Sequence, residues 1–199
     1  PKQEALIEVD PSKEYESFPL TEIQHAYLVS RGDSSSQATV GTTYCQIFAV
    51  DEIDLDRLDA AWGKVQKRHG MMRASVEEDG TQSIAPSSKI GHIERAECAN
   101  SSEAKQQLEE IKRTVFALAK PPLHRVVSIS WHEESGKQTR LVFCFDYTVL
   151  DALSVMTVLA ELAELYENPG ADLPGIGLTF RDFVVGHRRD GREVEEAEG

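Results

Sequence analysis

Two rhythms of apolar residues organise this chain. Period-two or continuously apolar runs, rich in β-branched and aromatic residues, predict strands over 42–50, 90–97, 123–132 and 138–145. Apolar residues three and four apart predict helices. The first opens at Thr21, with Gln24 completing a capping box and Ile23, Ala26, Tyr27 and Ser30 on one face. The second opens at Asp54 and repeats Leu55, Leu58, Ala61, Trp62 and Val65. A third, capped by Ser101 or Ser102, runs to about 119 with Leu108, Ile111, Val115 and Leu118 inward, and Pro121-Pro122 stops it. A fourth runs from Asp151 to about 167 behind an apolar stripe of Leu153, Met156, Leu159, Leu162, Ala163 and Tyr166. Thr179 caps a last one. Asp79-Gly80 marks a hairpin, and 133–137 is a polar turn. The expected fold class is α/β, an open mixed sheet with helices packed against it.

The flanks read differently. Residues 1–17 form a charged tail or linker with a short strand-like piece over 5–9. Residues 32–41 form a Ser-rich, mobile loop, and 191–199 an acidic disordered tail.

The chemistry concentrates where the strand ending at Asp146 meets the helix opening at Asp151. Along that strand Leu141, Phe143 and Phe145 point one way, and Val142, Cys144 and Asp146 the other. A carboxylate ending so apolar a strand must meet a cation or line an opening, because desolvating it unpaired is costly. Asp151 is a good N-cap, with its carboxylate placed to accept the N–H of Ser154.

Composition narrows the partners. The 199 residues carry a formal net charge of −13, which disfavours nucleic acid. No apolar run reaches a membrane span, so no membrane partner is expected. Cys45, Cys98 and Cys144 are an odd, scattered set. They suit a reducing cytoplasm and argue against a disulfide or a metal site. His124 and His132 read as partly exposed strand positions, and His69 as a solvated helix end.

Several stretches together resemble one family. Residues 146–154 read D-x4-D-x2-S, and 18–31 read F-P-L-T-x-x-Q-x-A-Y-x-x-G-R with Ser30 in place of Gly. Residues 68–73 resemble RHxMLR with Met72 for Leu, followed by D-G-x-Q at 79–82. Residues 179–183 resemble S-F-R-D-Y. The set is similar to heterocyclization domains of nonribosomal peptide synthetases, within the condensation-domain superfamily. Ordinary members carry HHxxxDG at the central turn. There Asp146 stands for the first His and Tyr147 for the catalytic one, so the ordinary His mechanism is out of reach.

The resemblance implies the N-terminal lobe of a two-lobed fold shared with chloramphenicol acetyltransferase, over 18–190. It implies condensation of carrier-tethered acyl and Cys, Ser or Thr substrates, then cyclodehydration to a thiazoline or oxazoline. No cofactor is expected on the chain itself; phosphopantetheine arms arrive on carrier domains. The implied partners are upstream and downstream carrier domains, an adenylation domain and the missing C-terminal lobe, and the lobe alone is expected to be inactive. Asp146 is expected to shape or polarise the substrate tunnel, and Asp151 to anchor the turn through an arginine, Arg73 rather than Arg68. Ser154 is expected to cap the helix. The rival reading is a non-catalytic module for carrier docking.

Overall fold

The computed structural model describes residues 7, 9–32, 42–88 and 90–187. Among these residues seven strands and four α-helices follow in the order β1 (Phe18–Pro19), α1 (Glu22–Gly32), β2 (Thr43–Val50), α2 (Leu55–Arg68), β3 (Ala74–Val76), β4 (Thr81–Ile84), β5 (Glu94–Glu97), α3 (Ser101–Lys112), β6 (His124–Glu133), β7 (Gly136–Asp146) and α4 (Ala152–Glu167), with short 3-10 helices at Pro11–Lys13 and Gly70–Arg73. A further helix, α5, occupies 180–187 at the end of the described residues. Most of the expected 5–9 strand, the loop from 33 to 41 and the acidic tail lie outside the described residues.

The fold is mixed α/β, but the strands form two sheets rather than one. A small sheet has the order β1-β4-β3, and a larger one β2-β7-β6-β5, in which only the β5–β6 pair is parallel. The small sheet exists because Gly80, at φ 82°, closes the Asp79-Gly80 hairpin in a conformation that favours glycine.

The β6–β7 hairpin is the spine, and its alternation sets the layers. Leu141, Phe143 and Phe145 pack with Val126, with Trp62 and Val65 of α2, and with Val155, Val158 and Leu162 of α4. Val142 and Cys144 pack with Val127, Ile129, Trp131 and, from α3, Ala104 and Ile111. The sheet is thus sandwiched between helices, both faces dry, which explains why β6 and β7 read as nearly continuous apolar runs.

Several expectations need correction. On α4 the buried stripe is Val155, Val158, Leu162 and Leu165, while Leu153 and Met156 are 72% and 68% exposed. On α1 the inward residues include Gln24 and Leu28, while Ile23 is 70% exposed. Periodicity finds an apolar face but cannot say which of two faces meets this sheet. Asn100, not a serine, caps α3 by accepting from Ser102 and Glu103 N–H, and α3 stops at Lys112. There the Thr114 hydroxyl bonds the Ile111 carbonyl, and Val115 is exposed.

His124 is buried, edge-on to Trp62 at 5.1 Å, because the β6–β7 register puts it opposite Phe145. His69 is not merely solvated: its Nε2 lies 2.6 Å from Glu161. Cys45 and Cys144 form a disulfide, contrary to the expectation from their scatter. They are 99 residues apart in sequence, yet the β2–β7 register sets them directly opposite, with Cα atoms 4.2 Å apart. Cys98 is free and buried. Among the described residues no helix is long and apolar enough to cross a membrane, and no His, Cys, Asp or Glu cluster could hold a metal ion.

Candidate functional site

The β7–α4 turn stands over a cleft of about 1020 Å³. Tyr147 to Ser154 line one wall, α1 contributes Gln24 and Tyr27, and the loop before α5 contributes Ile176 and Leu178. Asp146 is not among the lining residues. The β alternation sends its side chain to the side opposite Phe145, and it has no exposed surface.

Asp146 is fully employed there. Arg31 of α1 forms an ion pair with Oδ2, the Thr42 hydroxyl donates to Oδ1 at 2.9 Å, and the Thr148 N–H donates to Oδ1 at 2.9 Å. Arg31 also donates to the Thr42 hydroxyl and, at 3.2 Å, to the Phe116 carbonyl. The Asp146 carbonyl accepts from Val149 and Leu150 N–H. The carboxylate therefore shapes the turn from beneath instead of facing the tunnel. Arg31 is the residue that sequence reasoning missed. The available signal was its place as the last specified residue of the 18–31 motif, together with the demand of Asp146 for a cation.

Two glutamines complete the support. Gln24 and Gln82, 6% and 0% exposed, exchange amide hydrogen bonds at 2.9 Å. Gln24 also donates to the Thr148 carbonyl at 2.8 Å. The expected capping box holds Gln24 in place: its N–H bonds the Thr21 hydroxyl, and its Oε1 accepts from the Thr21 N–H.

Asp151 is exposed at the cleft mouth and is the N-cap of α4, accepting the Ser154 N–H at 2.7 Å. Hydrogen bonding from Ser154, side chain first and then backbone, holds its carboxyl below the usual carboxylate range. Ser154 is thus the donor to the cap rather than the cap.

Neither expected arginine reaches Asp151. Arg73 is 2% exposed and donates to the Gln66, Lys67 and Ala85 carbonyls, with Glu14 at 3.5 Å. It satisfies carbonyls that the end of α2 leaves unpaired. Arg68 pairs with Glu161 at 2.9 Å and donates to the Pro174 carbonyl. Both are taken by the frame around α2, so the arginine pairing expected for Asp151 belongs to Asp146.

Tyr147 lines the cleft and stacks on Tyr44, ring centroids 5.5 Å apart and 9° from parallel. Burial raises its phenol pKa, helped by Tyr44, Tyr27 and the Asp151 carboxylate, so it is a neutral hydroxyl at neutral pH. The turn thus offers a fixed acid at the mouth and a neutral phenol among apolar walls, with no imidazole of its own; Arg68 and His69 reach the lining from the end of α2, where both face Glu161, and Glu14 faces Arg73.

Comparisons with known proteins agree with this geometry. A family model described as the Condensation domain matches residues 14–198. The chain is 30% identical over 179 residues to bacitracin synthase 1 of Bacillus licheniformis, covering 88% of this chain and 3% of that protein. It is 32% identical over 183 residues to phenyloxazoline synthase MbtB of Mycolicibacterium paratuberculosis, covering 87% of this chain and 15% of that protein. The chain therefore spans a small part of the curated relatives it matches. Among solved structures, the EpoB cyclization-docking bidomain of a nonribosomal peptide synthetase from Sorangium cellulosum superposes with a TM-score of 0.81 at 28% identity, over 92% of this chain and 37% of that one. On the family match, the three-layered fold and the turn between Asp146 and Asp151, this chain belongs to the Condensation domain family.

Proposed function

We propose that the chain is the N-terminal lobe, over 18–190, of a heterocyclization domain in a nonribosomal peptide synthetase. In this reading the whole domain joins a carrier-tethered acyl group to a carrier-tethered Cys, Ser or Thr. It then cyclodehydrates the new amide to a thiazoline or oxazoline. The observation that carries it is the D-x4-D-x2-S turn, which puts Tyr147 on the cleft where ordinary members place their catalytic histidine, with Asp151 at its mouth. Similarity to a phenyloxazoline synthase and to a cyclization-docking bidomain supports it.

The chemistry is compatible with a turn lacking imidazole. An amine attacking a thioester chiefly needs placement and stabilisation of developing charge. Dehydration needs proton transfer, and the groups for it are assigned to the C-terminal lobe. Large apolar side chains left exposed around the cleft, Ile23, Leu153, Ile176 and Leu178, favour a second lobe as their cover. Asp146 then organises the turn and Asp151 sets the charge at its mouth. The phosphopantetheine arms belong to partner carrier domains, with an adenylation domain alongside.

The test is mass analysis of products from the full-length protein with both carriers loaded. A product one water lighter than the open amide is expected, and none from this lobe alone. Open amide as the sole product would reduce the role to plain condensation. Carrier binding without any product would favour the docking module.

A further inference from the structure

Residues 9–17, expected as part of a tail or linker, run along the lobe and add Val9, Pro11 and Glu14 to the cleft lining. We propose that this segment is a hinged strap that opens and closes one wall of the cleft around the tethered acyl chain. The proposal rests on the condensation reading above and adds a moving part to it.

The strap is held by charge more than by burial. None of its residues is buried, whereas Phe18, where it enters β1, is 2% exposed and packs with Ile84 and Val184. Among the described residues its backbone hydrogen bonds are internal: the Lys13 N–H bonds the Asp10 carbonyl, Glu14 bonds Pro11, and Glu16 bonds Lys13. Strand pairing with the body begins only at Phe18, opposite Gln82. Glu14 meets Arg73 at 3.5 Å, and Glu16 meets Arg181 at 2.7 Å. Farther out, Ile7 lies against Gly186 of α5. A segment with so few buried apolar contacts and no ladder to the core opens at low free energy.

Opening strands no buried charge. The two guanidinium side chains are nearly enclosed, at 2% and 8% exposure. Without Glu14, Arg73 still donates to the Gln66, Lys67 and Ala85 carbonyls. Without Glu16, Arg181 keeps Asp182 at 3.7 Å. Glu14 and Glu16 are already 32% and 57% exposed, so their release into water is easy. The closed strap therefore gains two partly exposed ion pairs, each weak and screened by salt. Two arrangements close in free energy are what a gate requires.

Hydrogen exchange and a covalent lock in the full-length protein decide it. Amides of 12–17 should exchange at least about 100-fold faster than those of β6 and β7. Glu14→Gln with Glu16→Gln should speed them about 5-fold further and leave β6 and β7 unchanged. A Cβ built on Gly186 lies 3.5 Å from the Ile7 Cβ, within disulfide reach. Ile7→Cys with Gly186→Cys, oxidised by glutathione disulfide, thus pins the strap shut. With loaded carriers its kcat/KM should fall about 10-fold and return on reduction with dithiothreitol, measured against the parent and both single variants treated alike. Strap amides as protected as those of β6, or equal turnover by the locked and reduced forms, overturns the proposal. Should the parent form no amide at all, the condensation reading fails and access to the cleft judges the strap instead. Association of a fluorescent acetyl-pantetheine amide, slowed in the locked form and restored by reduction, then supports the gate. Equal association rates end it.

Discussion

Asp146 and Asp151 bracket the same turn, yet one is 0% exposed and the other stands at the open mouth of the cleft. Asp146 takes an arginine, a threonine hydroxyl and a backbone N–H. Asp151 takes the helix start at Ser154 and otherwise meets solvent. The difference lies in position along the strand. Asp146 is still within the period-two pattern of β7 and is carried inward with Cys144, while Asp151 follows the turn and is free of it. The lesson is that a carboxylate in a motif acts or supports according to the backbone that aims it.

The comparison breaks first at the ion pair. Arg31→Ala or Asp146→Ala leaves a buried charge without its partner and should cost about 3–5 kcal/mol. Replacing both with apolar residues of similar size, Arg31→Met with Asp146→Leu, should recover much of that loss. Denaturant midpoints read the difference. A cost under about 1 kcal/mol for either single variant would mean that the pair is not holding the turn.

A second probe of the buried side is His124, opposite Phe145 and next to the end of β7. Burial lowers its pKa from 6.5 to about 4, opposed in part by a hydrogen bond to the Met72 backbone. Above pH 6.5 both folded and unfolded chains hold the ring neutral, so it contributes no pH dependence. Below pH 6.5 the unfolded chain takes up a proton that the folded chain refuses, and stability falls until about pH 4. The loss amounts to about 3 kcal/mol. Carboxylates titrate near the same range, so the measurement is a difference: His124→Leu should lack this part of the slope between pH 6.5 and 4.5. Parallel slopes would show that the ring is not desolvated as the Trp62 contact implies.

The two sides were unequally legible in the sequence. The buried face of β7, the capping box at Thr21 and the Asp79-Gly80 hairpin are local patterns, and each appears as expected. What pairs with Asp146 is not local: Arg31 is 115 residues away, and the Cys45–Cys144 link spans 99. Register decides such contacts, and register follows from the assembled sheet. The choice of Arg73 for Asp151 failed for the same reason, since nothing in the sequence says that the end of α2 will claim that guanidinium for its own carbonyls. Gln24, Arg31 and Gln82 do lie in the stretches that carry the family resemblance, and all three converge beneath the turn.

The smallest expected effect sharpens the exposed side. Asp151→Ala removes the N-cap of α4 and should cost about 1 kcal/mol, far less than the loss at Asp146. Asp151→Asn should cost only a few tenths, because the amide oxygen can still accept the Ser154 N–H. The stability of the parent should also weaken as pH falls through the depressed folded pKa of Asp151, since the unfolded carboxyl takes its proton first. The asparagine variant removes that dependence while keeping the cap. It therefore separates two roles that alanine confounds. If Asp151→Asn turns over loaded carriers like the parent, the residue serves the helix and the charge at the mouth is incidental. If turnover falls while denaturant stability holds, the negative charge itself acts on the substrates in the cleft, which a buried and neutralised Asp146 cannot do.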